Sequence, residues 1–207
     1  MLPVSDVIPP RRTPVVTIAL IVVHVAAFLR QLQLDAAPAY LIAGPPVAWP
    51  SEPHWPLVLT ALFVHEGWVH LAGNLAVLWI FGANVEDELG RWAFLGFYLL
   101  SSAIVTLGYL ASDPMPGAVL IGSSGAVAAV AGAYFALYPK SQVLTILFAV
   151  VYVDLVEVPA IFFLCAWLLV GLLLAIPLSA LLTGFTTGAI VGLMMRRHSR
   201  RWNEQSA

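Results

Sequence analysis

The chain has 207 residues, of which 61% are apolar and only 10% charged, and its mean hydropathy is +0.93. A soluble domain is about 45–50% apolar and about 25% charged, so an excess this large has to face lipid. The net charge of −2 and the lack of a basic stripe with interleaved aromatics leave nucleic-acid binding without support. A single cysteine, Cys165, excludes an internal disulfide and a cysteine-based metal site.

A bilayer core about 30 Å thick takes roughly 20 apolar residues per helix. Six runs meet or approach that need, over 14–32, 61–83, 92–111, 124–138, 158–176 and 178–195. Residues 1–13 precede them as an N-terminal segment expected on the cytoplasmic side. The first run is longer than the apolar region of a secretory signal and lacks a small-x-small cleavage site, so it reads as a span. Residues 33–60 carry Pro38, Pro45, Pro46, Pro50, Pro53 and Pro56 together with Trp49 and Trp55. Prolines break helices and tryptophans favour the membrane–water boundary, so this stretch is expected to be an interfacial loop.

The second run contains His70 and Asn74, four apart and so on one face of a helix. Polar groups inside a span normally face the bundle interior and mark functional sites, although a structural hydrogen bond between helices is the competing reading. His65-Glu66-Gly67-Trp68-Val69-His70 superficially suggests zinc. The zinc-protease motif needs histidines at i and i+4, whereas these are five apart, with no third acidic ligand nearby.

The fourth run is too short. Ser124 to Tyr138 gives about 22 Å of helix against the ~30 Å core. With Tyr138-Pro139-Lys140 at one interface, the other end stops inside the bilayer. Free N–H groups at that depth must face protein or a water-filled cavity, and the residues there are Gly122-Ser123-Ser124-Gly125. A serine at a helix N-terminus, with His70 and Asn74 as side-chain donors, is the equipment for stabilising a tetrahedral oxyanion.

The sixth run carries Gly184, Gly188 and Gly192, and the fourth carries Ser124, Ala128, Gly132 and Ala136. Stripes of small residues four apart let membrane helices approach closely, so these two runs are expected to pack together beside the serine. The basic residues after the sixth run, in 196–207, form a charged tail. Six spans place Arg11, Arg12, Arg91, Lys140, Arg196, Arg197, Arg200 and Arg201 on one side and Arg30 alone on the other. The positive-inside rule then makes both termini cytoplasmic.

These motifs resemble the rhomboid family of intramembrane serine proteases. The likeness rests on Phe63-Val64-His65-Glu66-Gly67-Trp68-Val69-His70-Leu71-Ala72-Gly73-Asn74 and on Phe81-Gly82-Ala83-Asn84-Val85-Glu86-Asp87-Glu88-Leu89-Gly90. It continues through Gly122-Ser123-Ser124-Gly125-Ala126 to Gly132-Ala133-Tyr134. The resemblance implies an all-α membrane protein, a bundle of six transmembrane helices with a short, submerged fourth helix. It implies no cofactor, and partners that are transmembrane segments of other membrane proteins, met within the lipid bilayer. Ser124 would be the nucleophile, with His70, Asn74 and the Ser124 N–H as oxyanion hole, and the plasma membrane of a prokaryote would be the location. Three readings are open: a rhomboid-like protein that binds transmembrane segments without cleaving them, an active intramembrane protease with an unusual base, and a transporter or channel, which no inverted repeat supports.

One element of the family pattern is absent. The family's general base is a histidine on helix six, three residues before the first glycine of the stripe, and here that residue is Leu181. A serine without a base is a weak nucleophile, so peptidase activity is expected to be absent or very low. An imidazole within hydrogen-bond reach of the Ser124 hydroxyl, from His65 or His70, would remove that ground. His198 lies beyond the sixth run at the wrong end, and His24 is expected to make a structural hydrogen bond.

Overall fold

The computed structural model describes residues 2–33, 61–111, 122–149, 152–174 and 176–205. Six helical units follow the apolar runs: α1 (Val15–Gln33), α2 (Trp68–Leu89), α3 (Arg91–Ala111), α4 (Ser124–Leu137), α5 (Ala160–Leu173) and α6 (Leu178–Gln205). Within them, α1, α2, α3 and the first part of α6 are long and apolar enough to cross a membrane. The expected six-helix bundle is what the chain forms, and its fourth helix is short, at 14 residues. The expected interfacial loop falls almost entirely outside the described residues.

The second run differs in detail from a helix over 61–83. It opens with a single 3-10 turn at Ala61–Phe63, and α2 starts only at Trp68. His65 therefore stands on the irregular lead-in, while His70 and Asn74 are helical. A π turn at Leu78–Gly82 lies within α2. Gly90, at φ 81°, then ends the helix and starts α3; its N–H donates to the Glu86 carbonyl at 2.7 Å. Only glycine adopts that conformation without strain.

A small antiparallel sheet is the feature the sequence reading did not anticipate. β1 (Leu2–Asp6), β2 (Gln142–Ala149) and β3 (Tyr152–Pro159) pair in the order β1-β2-β3. The stretch after α4 is rich in Val, Ile, Thr and Tyr, residues that favour strands. The N-terminal segment is accordingly not a free lead: Asp6 pairs with Val143 in the ladder. Its carboxylate accepts hydrogen bonds from Tyr134 of α4 and Asn84 of α2.

Glu86, 3% exposed, ties α2 to the start of α1. Its carboxylate accepts from the N–H groups of Val16 (3.0 Å) and Thr17 (2.7 Å) and from the Thr17 hydroxyl (2.8 Å). This satisfies donors that a helix N-terminus otherwise leaves open, and it puts negative charge where the macrodipole favours it. Beside it, the Arg11 guanidinium pairs with Asp87 at 2.8 Å and with Glu88. The hydrogen bond to Asp87 holds the Arg11 pKa above its ordinary value.

The tightest packing joins α4 to α6, which run parallel. A Cβ on Gly188 would sit 1.7 Å from the Ala129 carbonyl oxygen, and one on Gly184 would sit 2.1 Å from that of Gly125. In return, a Cβ on Gly132 would meet the Phe185 carbonyl oxygen at 2.0 Å. No side chain fits at those distances, so the glycines let two backbones touch. α4 is buried continuously from Ser124 to Tyr134. The central helix is thus walled in by its neighbours, and α6 is laid along it in a fixed register.

Candidate active site

Gly122, Ser123 and Ser124 form the turn into α4. Gly122 has φ 92°, and a Cβ there would lie 2.7 Å from His70 Cε1. Both the backbone conformation and the imidazole require glycine. Gly125 is equally constrained, because a Cβ would meet Val105 Cγ1 at 2.5 Å. The two glycines of Gly122-Ser123-Ser124-Gly125 therefore let α2 and α3 close on the turn.

Ser124, 3% exposed, lies between His70 and Asn74. The Ser124 Oγ is 2.7 Å from His70 Nε2, 3.1 Å from Asn74 Nδ2 and 3.3 Å from Asn74 Oδ1. All three predicted residues of the hydrolase framework are brought together by α2 and the N-terminus of α4. A cavity of about 10 Å³ adjoins Ser124 and is lined also by Val105, Ile176 and Ala180. That is space for about one water.

Leu181 is 1% exposed and sits one turn before Gly184, which touches Gly125. The parallel register thus brings Leu181 to the serine end of α4, with its neighbour Ala180 on the cavity wall. The Leu181 side chain reaches toward α5, where its Cδ1 lies 3.5 Å from the Cβ position of Gly171. His198 belongs to the far end of α6, since Gly192 already meets Ala133 and Ala136. Position 181, where the resemblance places the base, carries an aliphatic side chain.

An imidazole nevertheless stands at the serine, and it is that of His70. The Ser124 hydroxyl thus has an imidazole within reach, from α2 and not from α6. What distinguishes His70 is its other nitrogen: among the described residues, the buried Nδ1 has no hydrogen-bond partner.

Three participants were not legible as such in the sequence. Ser123 Oγ accepts from Asn74 Nδ2 at 3.2 Å and lies 3.4 Å from His65 Nε2. His65 is 3.3 Å from Asn74 Nδ2, and its Nδ1–H donates to the Phe63 carbonyl at 3.2 Å. The Gln31 amide brackets the His65 backbone, donating to its carbonyl at 2.6 Å and accepting from its N–H at 3.2 Å. A polar Gln31 in an apolar run was the signal that could have found this clamp. His24 makes structural hydrogen bonds, as expected: Nδ1–H donates to the Leu20 carbonyl at 2.8 Å, and Nε2 meets the Tyr98 hydroxyl at 3.2 Å.

A polytopic helical membrane protein with a serine, a histidine and an asparagine converging at a buried helix N-terminus defines the class. Residues 52–198 match the family model of the rhomboid domain, and the chain belongs to the rhomboid family. It is an integral, multi-pass membrane protein. It is 40% identical over 75 residues to Rhomboid-like protein 11, chloroplastic, of Arabidopsis thaliana, covering 36% of this chain and 26% of that one. It is 31% identical over 98 residues to Rhomboid protein 1, mitochondrial, of Saccharomyces cerevisiae, covering 45% and 28%. It is 33% identical over 96 residues to Rhomboid protease GluP of Bacillus subtilis, covering 45% and 18%. The matched stretches thus span under a third of each of these relatives.

Proposed function

We propose that this protein binds transmembrane segments of other membrane proteins at the Ser124 site and cleaves them very slowly, with His70 as the group that takes the serine proton. In this reading Ser124 Oγ attacks the substrate carbonyl, its proton passes to His70 Nε2, and Asn74 Nδ2 and the Ser124 N–H face the oxyanion. The observation that carries the reading is the 2.7 Å contact between His70 Nε2 and Ser124 Oγ, taken together with Leu181 where the family has its base.

Slow turnover follows from tautomerism. To accept a proton, Nε2 must be bare and the ring hydrogen must sit on Nδ1, which finds no acceptor among the described residues. A buried, unpaired Nδ1 costs about 1–3 kcal/mol in either tautomer, so nothing on that side of the ring favours the base. The alternative tautomer places the hydrogen on Nε2, where it donates to Ser124 while the Ser124 hydroxyl donates to Asn74 Oδ1. That state is an oxyanion donor and not a base. One nitrogen cannot serve both purposes at once, so a ring that takes the serine proton is not at that moment an oxyanion donor.

A second reading, a pure binding protein with no turnover, is favoured by the aliphatic Leu181. The distinguishing experiment is fluorophosphonate labelling of purified protein. Slow labelling of wild type, lost in Ser124→Ala and sharply raised in Leu181→His, supports the proposal. No labelling of wild type with strong labelling of Leu181→His supports the pure binder. Failure of both to label would remove Ser124 as a nucleophile.

The charge distribution supports termini on the cytoplasmic side, with residues 1–13 and the basic stretch 196–207 there, and residues 14–195 as the membrane domain. A prokaryotic plasma membrane is the proposed location. Reporter fusions at both termini test the orientation.

A further inference from the structure

Ser123 occupies the position before α4 where a serine ordinarily caps the helix, its side chain accepting from a backbone N–H. Here it makes no such cap. Its hydroxyl instead lies between Asn74 Nδ2, at 3.2 Å, and His65 Nε2, at 3.4 Å. A residue that forgoes the usual local bond for a long-range one is held there by its surroundings.

The carbonyl of Phe63 fixes one hydrogen of this cluster and limits the rest. A carbonyl oxygen only accepts, so His65 carries its hydrogen on Nδ1, toward Phe63. His65 Nε2 is then bare and can only accept. Two donors face it, the Ser123 hydroxyl at 3.4 Å and Asn74 Nδ2 at 3.3 Å, and the Ser123 oxygen accepts from Asn74. The atom of the Asn74 amide facing this pair must be its nitrogen, since the amide oxygen would meet lone pairs. The same nitrogen also donates to Ser124 Oγ, at 3.1 Å.

We propose that Ser123 and His65 are positioning residues of the Ser124 site, which fix the Asn74 amide with its nitrogen toward the developing oxyanion. The proposal rests on the reading of Ser124 as nucleophile and Asn74 as oxyanion donor. The chain of orientation runs from the Phe63 carbonyl through His65 and Ser123 to Asn74, and Gln31 anchors its far end by gripping the His65 backbone. Hydrogen-bond donors stabilise a transition state in proportion to how well they are aimed beforehand. Ser123 contributes to chemistry without touching substrate, by denying the amide its flipped orientation.

The test uses the full chain purified in detergent and carries two readouts. The first is the rate of fluorophosphonate labelling of Ser124, in the Leu181→His protein, for Ser123→Ala, Asn74→Ala and the double variant. Deleting an oxyanion donor costs roughly 10²–10³-fold; Ser123→Ala, which only frees the donor to turn, is expected to cost about tenfold, and the double variant no more than Asn74→Ala alone. Multiplicative losses, or an unchanged rate in Ser123→Ala, would overturn the proposal. The second readout is ¹⁵N NMR of the histidine rings, which does not depend on reactivity. His65 is expected in the Nδ1–H form, with Ser123→Ala shifting its Nε2 resonance and leaving that of His24 in place. A His65 ring protonated on Nε2 in the wild type refutes the assignment. If no protein labels at all, the nucleophile reading has failed, and the ring resonances still decide the positioning chain.

Discussion

His70 Nε2 and Ser124 Oγ, 54 positions apart in sequence, lie 2.7 Å apart. In the proposed reading, this contact supplies the proton acceptor in wild type. His70→Ala is therefore expected to lower Ser124 labelling to the level of Ser124→Ala. In the Leu181→His protein a second imidazole can take the proton, so the same change costs only a donor, roughly 10²–10³-fold. Equal losses in both backgrounds, measured as labelling rates, would show that His70 does not act as base.

The glycines of α6 set how closely that helix approaches the serine. Gly188→Val drives a side chain into the Ala129 carbonyl, 1.7 Å from the Cβ position, and is expected to destabilise the bundle by at least about 3 kcal/mol. Gly96 has nothing within 4 Å of its Cβ position, so Gly96→Ala should change stability by less than about 1 kcal/mol. Reversible unfolding in mixed micelles measures both.

Glu86 closes the N-terminus of α1 through three hydrogen bonds. Glu86→Ala leaves two buried N–H groups and a hydroxyl without their acceptor, and should cost roughly 2–3 kcal/mol. Glu86→Gln keeps one oxygen and should cost about 1 kcal/mol. Amide exchange at Val16 and Thr17 should accelerate in the alanine variant well before exchange in α4 does.

Burial pushes the Asp6 carboxyl above its ordinary pKa of 3.8, against the opposing hydrogen bond from Tyr134. The folded state thus binds the Asp6 proton more tightly than the unfolded state. Stability from this group is full below 3.8 and falls as pH rises through the raised folded value. The stability difference between wild type and Asp6→Asn should accordingly be flat below 3.8, shift against wild type just above it, and level off again. A pH-independent difference, or a shift in favour of wild type with rising pH, contradicts this.

The six helices were legible because lipid permits little else. An apolar run near twenty residues must satisfy its backbone internally, so composition and run length give the bundle directly. The shortness of α4 and the alternation of small residues on α4 and α6 were equally plain. Gly184, Gly188 and Gly192 announced the close pair, and that pair put Leu181 at the serine end of α4. The sheet was less visible: Val143 and Thr145 belong to an apolar stretch whose strand character depends on a partner, and β1 lies more than a hundred residues away.

Sequence by itself determined that the chain is a multi-spanning helical protein with a serine at the start of a short helix and a leucine at position 181 of the sixth, because run length, spacing and residue type are local properties. Tertiary structure decided which imidazole meets the serine. His65 and His70 are similar in type and close in sequence, but α2 begins between them, at Trp68. That boundary turns one ring onto Ser124 and the other onto Ser123 and Asn74, and only the packing of α2 against the α4 turn, through Gly122, fixes the distances on which proton transfer depends.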